Sequence, residues 1–420
     1  METKEPAPTA PGHTAVCGIE HFSDEGLRTL LVDAFPDEGA RTAGFPRGVE
    51  YRKHWEVAMA LRAFRDLGVL HPDARILGVG AGTERTVFHL SRHVAEVVAT
   101  DVYLGTGASE GEAQLLMLVS PWSCTRADFD PARLTVRHMD GRVLDFPDGS
   151  FDGVVSPSSI QRFGTDEEIA AAAFEMGRVL RPGGIAVIST DYLVMGPSGA
   201  RGWPGYRLFS ETDLRRLIVE AGGLELVGDL DLRVSPATLE TARDVAALLE
   251  GRGEERGIAV PHLVAAREGQ VFTSVQVTLR KSTSYPLADN LWASPTPTLK
   301  AKVRRDSEER AGRLLGALLL EAEGRWSGAG AGWTCSEPAA PTSLVEAFDA
   351  WDAVRARTAL AAPPSGPAWN RVLGFVKRTA GRLRDLGIVW DRERDLLRAL
   401  IARVDDLERR LGEMSRRERR

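Results

Sequence analysis

Cysteine is scarce: 420 residues hold only 3, Cys17, Cys124 and Cys335, far apart and odd in number. A disulfide framework and a CxxC zinc or redox pair are thereby disfavoured. No run of roughly 18 apolar residues occurs, which argues against a membrane span. The opening METKEPAPTAPGHTA is acidic and Pro-rich and lacks an apolar core, so no secretory signal is read there. A strong charge of one sign is also missing. The formal net charge is −6, and bulk electrostatics do not make the chain a nucleic-acid binder. The expectation is a soluble, cytoplasmic protein.

What is present is ordinary globular usage: 43% hydrophobic and 27% charged residues, with 42 Gly and 23 Pro. The length predicts two domains, or one large domain with appendages. Residues 1 to about 20 read as a disordered tail. From His21 to about Leu67 the apolar period is helical, with Trp55, Met59, Leu61 and Phe64 on one stretch. Short apolar runs then alternate with helical ones. Arg75–Val79, Val94–Thr100, Leu134–His138, Gly153–Val155 and Ile185–Ser189 are predicted strands, with Glu167–Leu180 a helix among them. Leu224–Leu230 and Val271–Arg280 make seven strands. Ser210 and Asp213 predict a capped helix start between them. The fold class is therefore α/β, a Rossmann-like, seven-stranded, mostly parallel sheet flanked by helices over 21–281.

Beyond Lys281 the character changes. Residues 282–366 read as linker with one helical segment, and 367–420 as basic amphipathic helices. Leu397, Leu400, Val404, Leu407, Leu411 and Met414 form a short heptad seam. That tail holds 15 Lys+Arg against 9 Asp+Glu. A seam this short is marginal alone, so it predicts a protein partner, a second copy, or packing on the body.

The chemistry concentrates where the run Ile76–Val79 enters the glycines Gly80 and Gly82 ahead of a helix. Glycine there lets a ligand approach the backbone, and the helix start offers free N–H groups. A dinucleotide fingerprint wants a glycine at the sixth position. Counting from Gly78 that position is Thr83, and from Gly80 it is Arg85, so a pyrophosphate-binding oxidoreductase is disfavoured. Asp101 ends the next strand, 21 residues after Gly80, where a carboxylate accepts from ribose hydroxyls. Asp229 and Asp231 form a D-x-D, the spacing of a metal-dependent glycosyltransferase. On an alternating strand they merely share the solvent face. No His/Cys/Asp cluster shows metal-ligand spacing in the sequence, so no metal is expected.

The order of ILGVGAGTE, VVATDVY, VRHMDGRVLDFPDGSFDGVVSPSSI and RVLRPGGIAVIST resembles the class I S-adenosylmethionine-dependent methyltransferases. A closer likeness is to bacterial members from glycan and natural-product biosynthesis, through YRKHWE, SSIQRFG, FSETDL and FTSVQVTLRK. The resemblance covers about 45–281. It implies that Gly78, Gly80 and Gly82 line the methionine part of the cofactor and that Asp101 holds its ribose. Asp140 and Gly141 would meet the adenine edge, and Ser156 would face both cofactor and acceptor. Tyr51 could close over the cofactor; Trp55 fits a core position better.

Three departures stand out. The family's acidic residue is Gly78 here. The last glycine of the turn is Glu84, a displaced carboxylate. Arg162 stands where relatives carry a histidine, and it stays protonated, so it is no general base. His54, His138, Asp191 and His262 are the base candidates. Acceptor choice would rest on Ser235–His262 and on the insertion Leu104–Asp130, which contains Trp122. The resemblance implies methyl transfer to a hydroxyl of a sugar, glycan or small metabolite. The alternative is a catalytically silent scaffold acting through its C-terminal helices.

Overall fold

The computed structural model describes residues 11–104, 116–119, 121–196, 201–203, 205–244, 261–283 and 290–310. The heptad seam and the rest of 311–420 lie outside the described residues, as do residues 1–10. The chain divides into two compact units, 1–101 with 121–300, and 102–120 with 301–420. Within the described part of the second unit, residues 301–310 are helical.

Ten strands form the main sheet of the first unit. In chain order they are β1 (Ala15–Val16), β2 (Arg75–Val79), β3 (Glu96–Asp101), β4 (Leu134–His138), β5 (Phe151–Pro157), β6 (Leu180–Met195), β7 (Glu225–Leu226), β8 (Arg243–Asp244), β9 (Val264–Arg267) and β10 (Gln270–Arg280). The order across the sheet is β8-β9-β10-β6-β5-β2-β3-β4, with β1 and β7 also paired to β10. Strands β4, β3, β2, β5 and β6 run parallel, and β10 is antiparallel to β6. The sheet is thus the mixed α/β, largely parallel arrangement read from the sequence. Chain order reverses at β2, and the crevice beyond the C-terminal ends of β2 and its neighbours is where such sheets bind ligands.

The helices are α1 (Glu25–Ala34), α2 (Pro36–Arg41), α3 (Arg52–Asp66), α4 (Arg85–Ser91) and α5 (Asp166–Val179), followed by a helical stretch over 211–220 that widens to π-type turns. Thr165 and Glu168 cap α5 reciprocally. Its small buried face, Ala170–Ala173 and Gly177, lets the next helix approach closely. A Cβ at Gly177 would lie 2.0 Å from the Gly222 carbonyl oxygen. Lys281 ends β10 with its ammonium donating to the Gly177 and Leu180 carbonyls at 2.8 and 2.7 Å. It closes carbonyls that the end of α5 leaves open.

Two expectations about boundaries need correction. Residues 11–20 are not a loose tail: Ala15 and Val16 pair with Gln276 and Val275 of β10. The Thr14 hydroxyl donates to the Val227 carbonyl at 3.1 Å. A two-residue strand carries too little periodicity to be announced by the sequence. Strand Leu224–Leu230 shortens to Glu225–Leu226, because Gly228 takes φ +76° and turns the chain away.

Candidate functional site

Strand β2 is buried through Ile76, Leu77 and Val79. It ends in a turn that needs glycine, since Gly80 and Gly82 have φ of +61° and +47°. The turn is tied from β3. Ala81 N–H donates to the Thr100 carbonyl at 3.0 Å, and the Thr100 hydroxyl donates to the Gly78 carbonyl at 2.7 Å. Gly82 N–H donates to Asp101 Oδ2 at 2.8 Å. Asp101 and the glycine turn, paired on spacing alone in the sequence, therefore touch. Gly78 has a packing reason of its own, because a Cβ there would sit 3.0 Å from Val87 on α4. Glu84 precedes α4, and its charge acts on Tyr51 and Lys53.

Beyond β4, Arg142 donates Nε to Asp140 Oδ1 at 2.9 Å and Nη2 to Oδ2 at 2.7 Å, and reaches Glu168 at 2.7 Å. The Asp140 carboxylate is thus shared with a guanidinium, which spacing could not reveal. Gly141 is buried against Val79 and Phe163, whose atoms a Cβ would meet at 2.7 and 2.8 Å. Beyond β5, Ser156 Oγ lies 2.9 Å from Ser159 Oγ, and Ser159 donates to the Val79 carbonyl at 3.2 Å. A Cβ on Gly80 would fall 2.3 Å from Ser159 Oγ. Gly80, Gly82, Asp101, Gly141 and Ser156 are brought together, with Glu84 and Asp140 at the margins.

A second constellation was not foreseen. Ser158 holds φ +45°, a strained conformation for a side-chain-bearing residue. Its hydroxyl is buried with no hydrogen-bond partner. Its N–H donates to Ser189 Oγ at 3.0 Å, and Ser189 donates to Glu56 at 3.3 Å. Glu56, on α3, also accepts from Ser274 and from Lys53 at 3.2 Å. Beside it the fully buried Asp191 accepts from Arg52 at 2.5 Å and from the Tyr206 phenol. Burial and then Asp191 push the Tyr206 phenol well above its usual range. Burial pulls the Arg52 guanidinium down, but Asp191, Tyr206 and Glu56 outweigh it and hold it raised. Arg162 stacks over the Tyr206 ring, 5.2 Å from its centre. The signal in the sequence was the polar cluster Arg52-Lys53 and Glu56 at a helix start otherwise rich in core residues.

The base candidates separate. Asp191 joins this network and spends its oxygens on Arg52 and Tyr206. His54 Nε2 faces Glu38 at 2.9 Å, and His262 stacks on Tyr51 with ring centres 4.3 Å apart. His138 is buried at the end of β4. Trp55 is fully buried and donates its indole N–H to His21 Nδ1 at 3.0 Å, so it is core and not a lid. Asp231 is bound by Arg233 at 2.6 Å, which holds its carboxyl at about 2. The D-x-D has no metal-ligand role in that pairing. Trp122 is exposed. Residues 245–260 of the first stretch, and 105–115 and 120 of the insertion, lie outside the described residues.

Residues 77–188 match the methyltransferase-domain family. That match takes in Gly78, Gly80, Gly82, Glu84, Asp101, Asp140, Gly141 and Ser156. S-adenosylmethionine is the cofactor of that family. No curated protein sequence matches the chain. Among solved structures, the YcgJ protein of Bacillus subtilis is 15% identical, with 55% of this chain and 99% of that chain covered and a TM-score of 0.35. A putative sarcosine dimethylglycine methyltransferase from Galdieria sulphuraria is 17% identical, covering 55% and 85%, with a TM-score of 0.35. The [4+2]-cyclase SpnF is 18% identical over 67% and 100%, with a TM-score of 0.36. Among the described residues, no helix is long and apolar enough to cross a membrane.

Proposed function

We propose that this methyltransferase moves a methyl group from S-adenosylmethionine to a hydroxyl of a sugar, glycan or small metabolite. The cofactor supplies a methyl group already made electrophilic by a sulfonium. Asp101 would accept from its ribose hydroxyls while keeping the Gly82 N–H. Gly80 and Gly82 would present backbone to its methionine part, and Gly141, with the Asp140 carboxylate shared by Arg142, would meet the adenine edge. Glu84, which follows the turn, would meet the amino group in place of the acidic residue absent at Gly78. Ser156 would stand between cofactor and acceptor. The left-handed glycine turn closed by Asp101 supports this assignment.

One observation carries the choice of acceptor. From Gly80 the contacts run through Ser159 and Ser158 to Ser189, Glu56, Lys53, Arg52, Asp191 and Tyr206. The β5 and β6 side of the glycine turn is therefore backed by hydroxyls, carboxylates and cations. Such a wall suits a polyhydroxylated molecule and wastes the apolar area of a flat aromatic one. Asp191, locked by two partners, orients this wall. Holding the hydroxyl in line with the methyl group is worth roughly 7–11 kcal/mol in favourable cases.

The second reading, a silent scaffold, is favoured by Arg142 on Asp140 and by Ser159 filling the space over Gly80. Incubating the full chain with methyl-labelled cofactor and separate pools of sugars, phenols and amines distinguishes them. Label on sugar hydroxyls supports the proposal. Label only on amines overturns the hydroxyl acceptor, label only on phenols overturns the polyhydroxylated choice, and cofactor binding with no transfer to any pool favours the scaffold.

A further inference from the structure

Away from that crevice, α1, α4 and the turn after α4 bring Asp33, His89 and His93 together. One ligand atom from each lies within 4.8 Å of the other two. His89 near the end of α4 and His93 in the turn beyond it have ring centres 4.9 Å from each other. His89 is 4% exposed, and its Nδ1 is buried with no hydrogen-bond partner. That atom faces Asp33 Oδ2 at 3.5 Å. Arg92 takes the other oxygen, Oδ1, at 3.0 Å and so turns Oδ2 toward the histidine. An orphaned imidazole nitrogen inside a fold is costly unless something binds it.

We propose that Asp33, His89 and His93 hold a divalent transition-metal ion of the zinc class. Two imidazoles and one carboxylate are a ligand set of that chemistry, with water completing four positions. A tetrahedral ion with bonds of about 2.0–2.2 Å separates its ligand atoms by roughly 3.3 Å. The 3.5 Å between His89 and Asp33 is already close to that. The remaining closure falls to Asp33 and His93, both exposed. Arg92 cancels the charge of Asp33, which disfavours hard calcium or magnesium and leaves an ion that imidazole nitrogen binds well. Asp33 and Arg92 also line a cleft of about 1020 Å³, an entry path for the ion.

The site would fasten α1 to α4, the helix that follows the glycine turn. Arg85 at the start of α4 pairs with Asp37 of α2, with Nη2 to Oδ2 at 2.9 Å, so the ion adds to the ties between this helix and the N-terminal layer. This inference does not depend on the acceptor.

The test uses tag-free, chelator-treated full-length protein with its thiols blocked, titrated with zinc chloride by calorimetry and with cobalt(II) by visible absorption. One equivalent should bind, cobalt should give the intense bands of a tetrahedral site, and zinc should raise the melting temperature. His93→Ala and Asp33→Ala alter exposed side chains and should each weaken binding by about a hundredfold or more, and both should lose the zinc-dependent stabilisation. Zinc affinity and stabilisation unchanged in both variants, or no stoichiometric binding by the parent, would overturn the site.

Discussion

Replacing Gly80 by alanine probes the turn on which the proposed cofactor site is built, and its cost can be worked from the structure in two parts. Gly80 sits at φ +61°, where an L side chain costs roughly 1–2 kcal/mol. The new Cβ would also lie 2.3 and 2.4 Å from Ser159 Oγ and Cβ. Neither atom is the tip of a flexible chain, and Ser159 is held by Val79 and Ser156. Overpacking of this kind costs about 1–3 kcal/mol. The single variant should therefore lose about 2–5 kcal/mol of stability in urea unfolding, followed by the fluorescence of buried Trp55. Ser159→Gly removes the obstacle but not the dihedral strain. The double variant should then be less destabilised than the sum of the two singles by about 1–3 kcal/mol. Additivity within about 0.5 kcal/mol would refute the steric part of the reasoning.

Asp191→Ala leaves Arg52 buried without its carboxylate and should cost about 3–5 kcal/mol in the same unfolding assay; a loss below about 1 kcal/mol would contradict the network. His21 Nδ1 accepts from both Trp55 and Gly18, and burial holds its pKa below the usual histidine value. The neutral form is favoured in the fold, so this stability is complete above pH about 6.5 and is lost as pH falls toward the lower folded pKa. His21→Gln, whose oxygen accepts at any pH, should flatten the acid-side slope of unfolding free energy, and parallel slopes would count against the assignment. Gly177→Ala drives a methyl group to 2.0 Å from the Gly222 carbonyl oxygen. It should lower the melting temperature, whereas Gly183→Ala, with nothing within 4 Å of its Cβ, should cost only its left-handed dihedral.

The parallel strands were legible because both faces are covered, so Ile76–Val79 and its fellows read as continuous apolar runs. The link between Asp101 and the glycine turn was legible as spacing, since a strand, a helix and a strand fix how far apart those positions fall. Side-chain partnerships across the fold were not legible. Nothing in DGRV says that Arg142 folds back on Asp140, and nothing in HLSRH says that Asp33 arrives from a helix more than fifty residues earlier. The reading that no metal cluster exists considered local spacing only, whereas the third candidate ligand is set by tertiary packing. Ser158 carries no sign of its left-handed backbone, which the hydrogen bonds to Ser189 and Gln161 impose. Conversely, Lys281 in the run FTSVQVTLRK looked like part of a family signature, and its ammonium serves to close the end of α5.

The account rests on S-adenosylmethionine binding at the turn that Asp101 closes. Isothermal titration of the full chain with S-adenosylhomocysteine, beside Asp101→Ala, tests it most directly. Micromolar binding by the parent is predicted, with the variant weaker by about 1.5–3 kcal/mol, the worth of a hydrogen bond to a charged group. That is roughly a 10- to 150-fold rise in Kd. No heat and no thermal stabilisation of the parent at millimolar ligand, or equal affinity in the variant, would contradict it.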